Sequence, residues 1–139
     1  MQKMEVILPH GPGFRLLSSV FADDDGQVIS IFEYTGDETL KLADHFPGKP
    51  MLPGVLILEG MAEAMIQKGQ TDPRLEGTLF VLAGIDRSRF HKPILPSMTV
   101  AYTGEIEMKN RRMGIAKVLA SVDDVVMAEA ELLFAIVQK

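Results

Sequence analysis

The residues best suited to acid–base chemistry lie between His45 and Glu63. An imidazole at His45 titrates near neutrality and can take or give a proton. Glu59, fourteen positions on, falls within an otherwise apolar run. A carboxyl group buried there is expected to have a raised pKa and to stay protonated near neutral pH, as a general acid requires. Between the two, Pro47, Gly48, Pro50, Pro53 and Gly54 impose an irregular backbone, costly unless it holds something in place. A plainer reading fits the same residue types: a histidine in a Pro-rich loop and a glutamate on a solvated helix face. Residue physics leaves both open.

The elements that must position these groups follow from periodicity. Val55, Leu58, Met61, Ala62 and Met65 recur at helical spacing, so a helix is expected over 54–68, with Pro53 just before its start and Gly69 as its stop. Ile57, Ala64 and Ile66 lie off that stripe, which makes the helix apolar on more than one face and therefore buried. Glu59 and Glu63, one turn apart, share a face. Upstream, 14–22 and 27–35 read as two strands of a hairpin around Asp23-Asp24-Asp25-Gly26, and 36–44 as a short helical turn. Downstream, strands are expected over 78–90, 99–109, 113–122 and 125–137, broken by Pro93 and Pro96, by Asn110-Arg111-Arg112 and by Asp123-Asp124. A strand pair, one buried helix and four further strands define an α+β fold with one antiparallel sheet wrapped on the helix.

Composition narrows the function classes. At 139 residues, the chain is expected to form one domain over 1–139. Hydrophobic residues at 47% and charged residues at 24% suit a globular core and exclude disorder as the main state. Fourteen Lys and Arg against nineteen Asp and Glu give a net charge of −5, which disfavours nucleic acid as a partner. With no cysteine, disulfides, thiolate metal sites and a Cys nucleophile are excluded, and a cytoplasmic setting is favoured. The opening residues lack the core of a signal peptide, and the apolar run Met51 to Leu58, interrupted by Pro53 and Gly54, is too short to span a bilayer. A soluble, unprocessed protein without membrane association is expected.

His45-Phe46-Pro47-Gly48, then Pro53-Gly54, then Glu59 in the helix closely resembles the signature of the 3-hydroxyacyl-[acyl-carrier-protein] dehydratases of bacterial fatty-acid synthesis, the FabZ/FabA-like enzymes of the hotdog fold. The likeness extends to Leu8-Pro9-His10, to Ala83-Gly84-Ile85-Asp86 with Arg89-Phe90, and to Lys92-Pro93-Ile94-Leu95-Pro96. What it implies is dehydration of a 3-hydroxyacyl thioester to a trans-2-enoyl thioester. His45 would remove the C2 proton and Glu59 would assist departure of the C3 hydroxyl. The Gly54 N–H would bind the thioester carbonyl at the positive end of the helix dipole, and the Val55 carbonyl would orient the imidazole. Phe46 and Pro53 would complete the substrate-binding surface. The resemblance also implies no metal or redox cofactor, acyl carrier protein as the substrate's bearer, and a homodimer or higher even-numbered homo-oligomer in which His45 of one chain meets Glu59 of the other.

Departures from the family pattern point to a divergent branch. Asp44 replaces a usual Gly beside His45, Glu63 a common Gln, Ser18-Ser19 a common Asp-Arg pair, and Ser97 the Gly of a Pro-Gly-Asp turn. Two alternatives compete: a hotdog acyl thioesterase, against which His-Phe-Pro-Gly argues, and a non-catalytic subunit that binds acyl chains or carrier protein. His10 and His91 fit no metal-ligand spacing with His45 and read as ordinary loop or surface histidines. Met51, Met61 and Met65 suit either an acyl tunnel or the core. The basic runs Arg87, Arg89, His91, Lys92 and Arg111-Arg112 suit either docking of the acidic carrier or solvated surface.

Overall fold

The structure, a computed structural model, describes residues 1–11, 15–36 and 48–139. The expected helical turn over 36–44 lies outside these beyond Gly36, as do Asp44, His45 and Phe46. The strands are β1 (Gln2–Met4), β2 (Ser19–Ala22), β3 (Val28–Glu33), β4 (Thr78–Phe90), β5 (Thr99–Met108), β6 (Met113–Val122) and β7 (Val125–Gln138). They form one sheet in the order β1-β2-β3-β5-β6-β7-β4, every pairing antiparallel. One helix, α1 (Gly54–Gln70), packs against it. This is the expected α+β arrangement of one sheet wrapped on one helix.

Strand alternation explains the wrapping. Ala116, Val118, Ala120 and Val122 of β6, and Ala128, Ala130, Leu132, Phe134 and Ile136 of β7, are buried at every second position and meet Ile57, Met61, Ala64 and Met65 of α1 in one core. Met61 and Met65 are core, while Met51 is half-buried. The β2–β3 hairpin turns as expected at Asp23 to Gly26. Asp23 Oδ1 accepts from the N–H groups of Asp25 and Gln27, each at 2.9 Å, and Gly26 adopts φ +81°.

Four elements differ from the sequence expectation. Gln2–Met4 forms an edge strand, too short and polar to show alternation. β2 begins at Ser19, because the Leu16 N–H is taken by the Glu63 side chain and not by a neighbouring strand. Gly69 lies inside α1, which runs to Gln70; its missing side chain makes room for the Phe80 ring. A 3-10 turn, Pro73–Leu75, precedes β4, with the Asp72 side chain accepting from the Arg74 N–H.

Candidate active site

α1 carries three polar side chains at successive turns of one face, Glu59, Glu63 and Gln67, and each engages the N-terminal segment. Gln67 is fully buried; its Oε1 accepts from the Ile7 N–H at 2.8 Å and its Nε2 donates to the Glu5 carbonyl at 2.9 Å. Glu63, also fully buried, accepts from the Leu16 N–H through Oε1 at 2.8 Å. Glu59 Oε1 stands 3.4 Å from His10 Nε2, both side chains being about one-quarter exposed. The Gln67 and Glu63 contacts thereby satisfy the Ile7 and Leu16 N–H groups and the Glu5 carbonyl.

Burial therefore falls on a different carboxyl group from the one expected. Glu59 reaches a cleft, whereas Glu63 is sealed beneath it. Burial pushes Glu63 up to about 8; the Leu16 N–H opposes this, and the charge and proximity of Glu59 reinforce it. Glu63 Oε2 and Tyr102 Oη are buried without a hydrogen-bond partner of ordinary geometry. Burial, followed by the Glu63 charge, holds the Tyr102 hydroxyl far above the usual phenol range. Gly60 permits this arrangement, since a side chain there would collide with the Tyr102 ring and hydroxyl.

The cleft has a volume of about 320 Å³. Glu59, Ala62 and Ile66 of α1 line it with His10 on one side and Val81 and Leu82 of β4 on the other. It thus opens beside the strand that ends the sheet. A larger concavity, about 1310 Å³, lies elsewhere, among Arg87, Arg89, Lys117, Glu105, Glu129 and Glu131. No described residue of the 45–63 motif enters it, and its charges oppose one another across strands, as in Arg87↔Glu131 and Arg89↔Glu129, so the smaller cleft is the better candidate for chemistry. The same pairings, with His91 Nε2 at 3.2 Å from Glu129 Oε2, set acidic partners against the basic run of β4.

The remaining motif residues stand at the helix start. Pro53 is buried and its carbonyl accepts from the N–H groups of Leu56 and Ile57, at 2.9 and 3.1 Å. Gly54 and Val55 precede any intrahelical acceptor, so their N–H groups face out of the helix N-terminus. The Phe90 ring lies against Gly54, 3.1 Å from where a Cβ would stand, so a side chain there would need the ring to give way, and the Val55 side chain is exposed. His45 and Phe46 lie outside the described residues.

The residue that sequence reasoning missed is His10, read there as an ordinary loop or surface histidine. It lies in an irregular segment forty-nine positions from Glu59, and only the Leu-Pro-His likeness marked it. Among the described residues, His10, Glu59 and Glu63 are also a set whose ligating atoms approach within 4.8 Å of one another. A cation there would compete with the proton that burial keeps on Glu63.

The chain is similar to known proteins over most of its length. The chain is 36% identical over 132 residues to the 3-hydroxyacyl-[acyl-carrier-protein] dehydratase FabZ of Herpetosiphon aurantiacus, covering 94% of this chain and 93% of that protein. It is equally similar to the FabZ of Symbiobacterium thermophilum, 36% over 132 residues, covering 94% and 92%. Among solved structures, the dehydratase heterocomplex ApeI:P from Xenorhabdus doucetiae matches with a TM-score of 0.73 at 19% identity, over 95% of this chain and 88% of that one. The fluoroacetyl-CoA thioesterase FlK matches with a TM-score of 0.64 at 14% identity, over 89% and 88%. At such identities, both structures carry the hotdog fold alone. Residues 8–131 match the FabA-like domain family, nearly the whole length over which motif, cleft and fold have been described, and the chain belongs to that family.

Proposed function

We propose that this protein dehydrates 3-hydroxyacyl thioesters, borne by acyl carrier protein, to trans-2-enoyl thioesters in the synthesis of fatty acids or related acyl or polyene chains. The observation that carries the reading is Glu59: in a motif shared with the dehydratases, it is the one carboxyl group of α1 that reaches a cleft. His45 takes the C2 proton and Glu59 protonates the departing C3 hydroxyl. The Gly54 N–H, at the positive end of α1, stabilises the enolate charge that develops on the thioester carbonyl. Phe46, Pro53 and Val55 bound the substrate near that point.

The sheet supports a dimer. One edge, β1, has three residues, whereas the other, β4, has thirteen with one side unpaired. That edge exposes Val81, Leu82, Ile85 and Phe90, a surface suited to pairing with a second copy. Because Val81 and Leu82 also line the Glu59 cleft, such pairing would close the cleft and bring in a partner's residues. No described helix is long and apolar enough to cross a membrane, and the setting we propose is the cytoplasm.

The test is incubation with 3-hydroxyacyl and 2-enoyl thioesters of acyl carrier protein and of coenzyme A, following enoyl absorbance and free thiol together. Absorbance change without thiol release is the expected result. Thiol release would make the protein a thioesterase, and neither signal would leave a binding subunit.

A further inference from the structure

Glu63 has no part in the reaction just described, yet it is the most deeply buried charged group on α1. Its Oε1 is fixed by the Leu16 N–H at 2.8 Å, and its Oε2 is sealed from water without an ordinary hydrogen bond. Among the described residues, the ionisable groups facing it are Glu59 one turn earlier on α1, His10 and Arg15 from the N-terminal segment, and Tyr102 from β5. The Glu59 and Glu63 carboxyl groups approach within 4.8 Å. Two carboxyl groups this close, one of them cut off from solvent, ionise together only at high cost, so the pair keeps one proton.

We propose that Glu63 is the proton store of the site: it holds the single proton that the pair shares and hands it on through Glu59, which delivers it to the departing hydroxyl. The inference rests on the dehydratase reading. As the C2–H bond breaks, its proton goes to the base and its electron pair becomes the C2–C3 π bond. The C3–O pair stays on oxygen, which takes the carboxyl pair's one proton, relayed from Glu63 through Glu59, and leaves as water. The base then returns the C2 proton to the emptied carboxyl pair through solvent, so each cycle starts and ends with the same proton count. Burial supports the store by keeping Glu63 protonated up to about pH 8. Glu63 acts through Glu59 and is thus a positioning residue.

The test is the pH dependence of kcat for the intact wild-type oligomer and for Glu63→Gln, whose amide oxygen still accepts from Leu16 but stores no proton. The alkaline limb is expected to fall at least one pH unit lower in the variant, about a tenfold deeper loss at high pH. An unmoved limb, or one moved upward, would overturn the proposal. Carbon-13 NMR of the glutamate carboxyl groups tests proton sharing without turnover. Coupled titration of the two groups, with the Glu63 midpoint lowered in Glu59→Gln, is expected; independent titration of both below pH 6 would overturn it. Absence of dehydration by wild type would refute the dehydratase reading, while the NMR titration would still decide whether the pair shares a proton.

Discussion

His10 Nε2 lies 3.4 Å from Glu59 Oε1 and so joins the N-terminal segment to the central helix at the rim of the cleft. With Glu63 on Leu16 and Gln67 on Glu5 and Ile7, it makes the polar face of α1 the surface on which Glu5, Ile7, His10 and Leu16 are anchored. The acid is therefore held from the side opposite β4.

Replacing His10 by Gln should lower kcat by about fivefold with little change in KM, since the loss is one partly exposed contact of roughly 1 kcal/mol. Steady-state kinetics on the carrier-bound substrate check this. A rise in KM with kcat intact would make His10 a substrate contact instead.

Glu63 also predicts how stability depends on pH. Its folded pKa of about 8 lies above the ordinary 4.5, so between these values the folded chain holds a proton that the unfolded chain has released. Stability is fully present below the lower value and is lost as pH rises toward the upper one. Glu63→Gln, which does not titrate, should flatten that decline and raise Tm at pH 8 on the order of 5 °C, with the gap closing toward pH 5. Thermal denaturation across this range is the measurement, and a constant gap at all pH values would contradict the assignment.

Gly60 and Tyr102 should behave as one unit. Gly60→Ala places a methyl group against the Tyr102 ring and hydroxyl and should cost about 1–3 kcal/mol. Tyr102→Phe removes a buried hydroxyl that has no partner and should leave Tm equal or higher. Denaturant unfolding of both variants tests the pair.

Much of this was legible in the chain. Helical spacing from Val55 to Met65 located α1, and alternation located the four long strands, because both periods follow from burying one face. The Asp-Gly turn marked the hairpin for a local reason, the positive φ at Gly26. The misses were set by tertiary contacts. Which of Glu59 and Glu63 would be buried depended on where Leu16 and Tyr102 pack, since both acids occupy equivalent positions one turn apart. His10 reaches Glu59 where Gln67 and Glu63 anchor the backbone on either side of it and the Arg15 side chain donates to the His10 carbonyl. The length of the unpaired β4 edge depends on sheet order, which short-range pattern does not encode.

That edge carries the fourth prediction. Leu82→Glu combined with Ile85→Glu places charges along the unpaired side of β4 and should convert a dimer into monomers by sedimentation, with dehydration falling by at least about a hundredfold as the cleft loses its second wall. Retention of both mass and activity would move the interface elsewhere.

The central claim is that the Glu59 cleft is completed by His45 of a second chain, and mixing two inactive variants tests it most directly. His45→Ala and Glu59→Gln should each lose dehydration by roughly 10²–10⁴-fold while remaining folded. When subunits exchange, about half of the dimers become mixed, each with one intact and one doubly damaged site, and activity should recover to roughly one-quarter of wild type. If His45 and Glu59 worked within one chain, every site in the mixture would lack one group, and no recovery despite demonstrated exchange would contradict the account.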